Sequence, residues 1–189
     1  FSDKNSYFDQ LNFYNRDIEL VFENCKFGVW YFKKGKYLKL VNVLGNETDT
    51  SISIENMEKV DIELSGSLDN SNIISSIYVD DVSKLDIKLK NVDLKALFIN
   101  DVRETYIKGI DANTYFKAVN ARNLFLKDSN IDINFNMNLN VTNLLDLNNS
   151  TINIISFNTF EFNFDSKIVL VNSNIKANKM LKISEIFFK

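Results

Sequence analysis

The sequence predicts an all-β solenoid of about eight stacked coils. Three observations predict it: a short phrase recurs eight times at an average spacing of about 21 residues, apolar residues alternate around that phrase, and the chain turns without proline. Of the 189 residues none is proline and five are glycine, whereas 28 are asparagine. Average usage predicts about nine prolines. Asparagine and aspartate must therefore occupy the turns.

The recurring phrase is a leucine-like residue, a variable residue, and then Asn, Asp or Gly. The position two before the leucine-like residue is apolar in nearly every repeat, and such i, i+2 alternation is the period of a strand with one buried face. Asn, Asp and Gly enter the left-handed region at the lowest cost. Each phrase thus predicts a strand, a one-residue bend and a second strand. The predicted bends are Asn24, Asn42, Gly66, Asn91, Gly109, Asp128, Asn149 and Asn172.

Coils of this size cannot bury an apolar face alone, so they must stack at about 4.8 Å and place like residues in ladders. We expect an asparagine ladder at the bends. We also expect a ladder of small residues just after them, formed by Ser129, Ser150 and Ser173, with Cys25 at the same place in an early coil. Gly45 and Asp69 interrupt a following apolar column, so repeats two and three should turn differently.

Over residues 18–177 these phrases resemble right-handed parallel β-helices of the pectate-lyase-like kind, which carry an asparagine ladder at a left-handed bend. The resemblance implies a right-handed parallel β-helix. The segment from Phe22 to Phe27, with aromatic residues five apart, resembles a fragment of a pentapeptide-repeat solenoid. That rhythm is not sustained, so the second resemblance is the weaker one.

We predict a single domain over residues 1–189 with capped ends. Residues 1–17 are aromatic-rich and form an N-terminal cap or first coil, and residues 18–177 carry the repeats. Residues 178–189 form a C-terminal cap. Met180, Ile183 and Phe187 lie at helical spacing, which indicates a short helix starting near Asn178. The alternative is a final strand.

Composition excludes several classes of function. The formal net charge is −3, with 22 basic and 25 acidic residues, and this balance gives no basic footprint for nucleic acid. No apolar run approaches the roughly 18 residues that span a bilayer. The chain has no histidine and a single cysteine, so a His-dependent triad or a Cys/His zinc site is excluded within this segment. We predict no metal and no cofactor.

Two arginines are the main candidates for binding. Arg103 and Arg122 each lie six residues before their bend residue, so they should share a column on adjacent coils. With Asp81 and Asp101 nearby, they suggest a site for an anionic ligand or a sugar acid, because arginine holds a carboxylate through two parallel hydrogen bonds. The alternative is a surface ladder in which the arginines pair with the neighbouring acids.

Two further features concern neighbouring side chains. Trp30 and Tyr31 belong to the densest aromatic patch, and we predict them as binding residues; the alternative is packing, because alternate members of a strand face the core. Asp80 and Asp81 should point to opposite faces, and they cannot act as a catalytic pair unless a bend separates them.

The predicted function is a non-catalytic structural or interaction solenoid that presents a flat sheet face to a protein or glycan partner. The alternative, implied by the pectate-lyase-like resemblance, is a lyase or hydrolase acting on an acidic polysaccharide. Its site would contain Asp81, Asp101, Arg103 and Arg122. An enzyme would need a groove with converging carboxylates and a basic residue, whereas a scaffold would show a flat polar face.

Overall fold

A computed structural model describes residues 2–14, 18–45, 50–66, 72–90, 92–109, 116–133, 138–154, 167–177 and 186–188. Within these ranges every regular element is a β-strand, and no helix is long and apolar enough to cross a bilayer. The strands are β1 (Ser2–Lys4), β2 (Tyr7–Tyr14), β3 (Glu19–Glu23), β4 (Lys26–Val41), β5 (Leu44–Gly45), β6 (Ser51–Ser65), β7 (Asn72–Ile74), β8 (Ser76–Lys90), β9 (Val92–Leu94), β10 (Leu97–Lys108), β11 (Phe116–Lys127), β12 (Asn130–Ile133), β13 (Asn138–Asn148), β14 (Thr151–Ile154), β15 (Lys167–Val171), β16 (Asn174–Ala177) and β17 (Ile186–Phe188).

The strands pair in parallel between successive coils, so the predicted all-β solenoid is confirmed. The largest sheet has the order β1-β3-β4-β6-β8-β10-β11-β13-β15-β17, with β2 and β5 each paired to β4. Smaller sheets join β12-β14-β16 and β7-β9. The solenoid has about six turns with a spacing of about 21 residues. The prediction of about eight coils was slightly high. The handedness stays a prediction.

The predicted bends close each coil onto the next. Positive φ angles, from 48° to 78°, are found at Asn24, Asn42, Gly109, Asp128, Asn149 and Asn172. The Asn24 amide donates to the Val41 carbonyl at 2.9 Å, and the Asp128 amide donates to the Asn148 carbonyl at 3.0 Å. The Gly66 amide likewise donates to Lys90 at 2.9 Å. The bend amides thus continue the inter-coil hydrogen bonds of the strands. Asn91 lies outside the described residues.

The predicted ladder of small residues after the bends is confirmed. The amides of Ser129 and Ser150 donate to the Oγ atoms of Ser150 and Ser173, at 3.1 and 3.0 Å. Each of these hydroxyls donates in turn to the carbonyl two residues before it, at 2.7 to 2.8 Å. Cys25 is fully buried at the equivalent position, and its Sγ lies 3.4 Å from the Glu23 carbonyl oxygen. Cys25 is therefore a small core residue of the same ladder.

A second column of bends was not predicted. Lys34, Asn56, Asp81 and Asp101 have φ angles of 48° to 59° in the middle of β4, β6, β8 and β10, and the register stacks them on adjacent coils. Each is preceded by an outward polar residue and followed by Gly or an inward apolar residue. The chain thereby turns a corner without breaking its hydrogen bonds to neighbouring coils.

The core register differs from the prediction in repeats three and four. Ile62 pairs with Leu40, and Ile87 pairs with Ile107. Counting four residues back from the predicted bends would instead place Ile62 opposite Leu38 and Ile87 opposite Thr105. The strands of these two repeats extend two residues further before they bend. A shift of two residues keeps every side chain on its face, so Ile62, Ile87 and Leu89 are all buried.

The ends of the chain also add strands. β1 pairs with β3 and β2 pairs with β4, so the N-terminal segment extends the large sheet. β17 pairs with β15, which makes residues 186–188 a strand. Asn178, Met180 and Ile183, where the helix was expected, lie outside the described residues.

The bend geometry predicts unequal effects at Asn149, which has a φ of 49°. Asn149→Val forces a β-branched residue into the left-handed region, and we expect the free energy of unfolding to fall by about 1–2 kcal/mol. Asn149→Gly keeps that conformation accessible, and we expect a loss of less than about 1 kcal/mol. Urea denaturation of the two variants measures the difference. Equal stability would contradict a left-handed bend at this position.

Candidate functional site

The two candidate arginines lie side by side. Val102 pairs with Ala121 and Glu104 pairs with Asn123, which places Arg103 opposite Arg122 on adjacent coils. Adjacent coils are about 4.8 Å apart, and both side chains are exposed. The predicted column of arginines is therefore present in the structure.

The two candidate aspartates occupy the neighbouring column. Asp80 pairs with Asn100 and Val82 pairs with Val102, so Asp81 lies opposite Asp101. Both are left-handed bend residues with exposed side chains, at φ angles of 51° and 48°. The left-handed bend at Asp81 lies between Asp80 and Val82, so the bend that a catalytic pair of Asp80 and Asp81 would require is present.

These four residues line one depression of about 460 Å³, together with Asn120 and Thr142. We call Asp81, Asp101, Arg103 and Arg122 the arginine corner. Within the described ranges, no acidic side chain lies within ion-pair distance of Arg103 or Arg122. The expected alternative, arginines neutralised by adjacent acids, is thus not what the structure shows.

A ladder of polar side chains borders the arginine corner. The Asn100 amide group donates to Asp80 at 2.6 Å, the Asn120 amide group donates to Asn100 at 3.2 Å, and the Asn140 amide group donates to Asn120 at 3.2 Å. This asparagine ladder runs along the solenoid axis just before the corner. Its hydrogen bonds link four successive coils beside the arginines.

The arginine corner brings together groups for two kinds of chemistry, anion binding by the arginines and acid–base chemistry by the aspartates. Two guanidinium groups on adjacent coils present parallel donors to a carboxylate or another oxyanion. Glycosidase carboxylates face each other across a substrate, roughly 5 to 9.5 Å apart. Asp81 and Asp101 instead stand next to each other in one column. Among the described residues, no group of three or more Cys, Asp or Glu side chains is placed to hold a metal ion.

The aromatic candidates Trp30 and Tyr31 are neighbours on β4, so their side chains point to opposite faces of the sheet. Trp30 is fully buried and its indole Nε1 donates to the Phe8 carbonyl at 2.9 Å. It packs in the core and presents no surface to a partner, so we do not retain it as a binding residue. Tyr31 is half-buried, and its ring lies 5.6 Å from that of Tyr14. Its hydrogen bond with Glu55 raises the pKa of Tyr31.

The sheet that follows the corner has an outer face with three outward positions in each coil, where the flat sheet face was expected. We call this the flat face; it comprises residues 37–41, 59–63, 84–88, 104–108, 123–127 and 144–148. In its second and third coils opposite charges pair across or along the strands. Lys59 lies 3.0 Å from Asp61, Lys84 lies 3.9 Å from Asp86, and Lys88 lies 3.7 Å from Glu63. Aromatic residues follow at Tyr106 and Phe125.

Comparison of the chain with protein-family models, with curated proteins and with solved structures gives no significant match.

The second bend column and the pair Tyr106/Phe125 are the features that sequence reasoning missed. The signal for the bends was present as two consecutive polar residues between apolar ones, in Glu55-Asn56, Asp80-Asp81 and Asn100-Asp101. Lys34 in the first such coil hides the pattern, because lysine is not typical of the left-handed region.

Protonation of Tyr37, on the flat face, makes the stability of the folded chain depend on pH in the alkaline range. Its hydroxyl donates to Asp61 at 2.6 Å, and burial together with this hydrogen bond raises the pKa of Tyr37 to about 12. The unfolded value is about 10. The raised folded pKa favours the protonated form, so this contribution to stability is complete below about pH 10 and is lost as pH rises through 12.

We therefore expect the free energy of unfolding to fall more steeply between about pH 10 and 12 in the native sequence than in Tyr37→Phe. Chemical denaturation at several pH values in that window measures the two slopes. Tyr37→Phe retains every other tyrosine and lysine, so their titration is common to both proteins. Identical slopes would show that the Tyr37 hydroxyl is not protected in the folded state.

Proposed function

We propose that the protein is a non-catalytic interaction solenoid that binds an anionic group of a protein or glycan partner at the arginine corner. The observation that carries the proposal is the exposed pair Arg103 and Arg122 in one depression, with no ion-pair partner among the described residues. An unpaired, aligned pair of guanidinium groups has donors available for an incoming oxyanion.

The setting of the pair supports binding by a preorganised surface. The asparagine ladder beside it fixes the spacing between coils, and Val102 and Ala121 are buried beneath it. Little backbone reorganisation is needed when a ligand arrives, which reduces the entropic cost of association. A second depression of about 390 Å³, lined by Lys34, Asn56 and Asp81, continues along the same corner. An extended partner can therefore lie along the solenoid axis.

Removal of both guanidinium groups should weaken binding of a carboxylate polymer. We expect Arg103→Gln/Arg122→Gln to reduce affinity for polygalacturonate or poly-L-glutamate roughly tenfold, because exposed charge pairs contribute up to about 1 kcal/mol each. Titration calorimetry at low and moderate salt measures the effect, which should shrink as salt screens the charges.

Lys26→Gln/Lys39→Gln removes the same charge elsewhere on the described surface and serves as the matched control. It should retain most of the affinity. If both double variants lose affinity equally, the attraction is a general effect of charge, and the arginine corner is not the site. If the native protein binds neither polymer, the proposed carboxylate recognition is wrong.

A lyase or hydrolase acting on an acidic polysaccharide is the second candidate. It is favoured by one observation, that Asp81 and Asp101 share the depression with the arginines. Product analysis distinguishes the two candidates. If the protein is a non-catalytic solenoid, incubation with polygalacturonate or alginate should yield no new reducing ends and no unsaturated uronates. Cleavage that disappears in Arg103→Ala/Arg122→Ala and in Asp81→Asn/Asp101→Asn would establish the enzyme instead.

A further inference from the structure

Two aromatic rings stack on the flat face between two aspartates. The ring centroids of Tyr106 and Phe125 are 4.4 Å apart and the rings are nearly parallel, at 5°. In the same column Asp86 precedes Tyr106 and Asp146 follows Phe125, each on the adjacent coil. The stacked pair therefore has a carboxylate at each end along the solenoid axis.

At the Tyr106 end a lysine of the chain occupies the space beside the ring. Lys84 Nζ lies 4.9 Å from the Tyr106 ring centroid and 3.9 Å from an Asp86 carboxylate oxygen. Lys59 is held in the same way, 4.9 Å from the Tyr37 ring centroid and 3.0 Å from Asp61. The flat face thus twice holds a cation between an aromatic ring and a carboxylate.

At the Phe125 end the corresponding cation is missing from the described part of the chain. The register aligns Lys84, Glu104, Asn123, Leu144 and Lys167 in one column. On the strand of Asp146 an aliphatic side chain therefore stands where Lys84 stands on the strand of Asp86, and Lys167 follows on the next coil. Asp146 is half-buried and makes no ion pair or hydrogen bond with any described residue. One face of Phe125 is covered by Tyr106. On the side of the column away from Leu144, Phe125 and Asp146 also line a depression of about 350 Å³.

We propose that the space bounded by Phe125, Leu144 and Asp146, the Phe125 slot, binds an arginine or lysine side chain of a partner protein. The ring attracts a cation to its uncovered face, Asp146 pairs with it, and Leu144 packs against its aliphatic stem. Lys127 lines the depression beside Phe125 and Asp146, as do Lys88 and Lys108, which pair with Glu63 and Asp128. The guest must therefore gain from the ring as well as from the carboxylate. This favours a planar guanidinium group, which stacks on an aromatic face.

Assigning the Phe125 slot to a partner rests on the proposed function. The chemistry of the slot favours a protein partner over a glycan. Arg103 and Tyr106 lie on β10, and Arg122 and Phe125 lie on β11. The arginine corner and the Phe125 slot therefore belong to the same or adjacent coils. A protein surface offers an acidic and a basic side chain together, whereas an acidic glycan offers no cation for the slot.

The probe for the slot is N-acetyl-arginine amide. Its binding is followed by NMR through the ring resonances of Phe125, in protein that carries isotope-labelled phenylalanine. We expect a saturable shift with this probe and none with N-acetyl-citrulline amide, which has the same shape without the charge. Asp146→Asn should weaken binding roughly fivefold, because it removes one exposed charge pair. Leu144→Lys supplies the missing cation from within the chain and should weaken binding at least as much.

Ser53→Lys adds the same charge to another part of the surface and should leave the probe's affinity nearly unchanged. Arg103→Gln/Arg122→Gln should also leave it unchanged, which separates failure of the slot from failure of the arginine corner. Equal shifts with the citrulline probe, or undiminished binding by Leu144→Lys, would overturn the proposal. A shift produced by methyl β-galactoside but not by the arginine probe would assign the slot to a sugar instead.

Discussion

The coils depend on residues held in the left-handed region, and most of those in the described ranges stack on counterparts in neighbouring coils. At the predicted column, including Asn24, Asp128 and Asn149, the bend amides donate to carbonyls of the following coil. A bend displaced by one residue would turn the following strand's buried face outward. Asparagine, aspartate and glycine reduce the cost of this conformation, which accounts for a chain rich in asparagine and devoid of proline.

The arginine corner arises where the second bend column ends within the described coils. Asp81 and Asp101 are stacked bends, but the pairing of β10 with β11 shifts by one residue between Ile99 and Val102, so β11 has no counterpart of Asp101. The next pairing shifts again between Ala121 and Asn123. These irregularities change the course of the chain beside Arg103 and Arg122, at the depression that both line.

The features that depend on the two-residue strand period and on the bend residues could be predicted from the sequence. They are the solenoid class, most bends of the first column, the serine ladder and the alignment of Arg103 with Arg122. The sequence did not predict the register at Ile62, because a shift of two residues preserves every inward position. The ring stack of Tyr106 on Phe125 was also missed. Both rings lie three residues before a predicted bend, so the spacing that aligns Arg103 with Arg122 also places Tyr106 and Phe125 in one column.

The most direct test of this account is the distance between spin labels at Glu63 and Asn148 in a Cys25→Ser background. Serine already fills the same place after the bend at Ser129 and Ser150. The register connects Glu63 to Asn148 through Lys88, Lys108 and Lys127, four coil spacings in all. Stacked coils predict a narrow distance distribution near about 19 Å. A broad distribution centred well above that value would contradict the stacking of the coils.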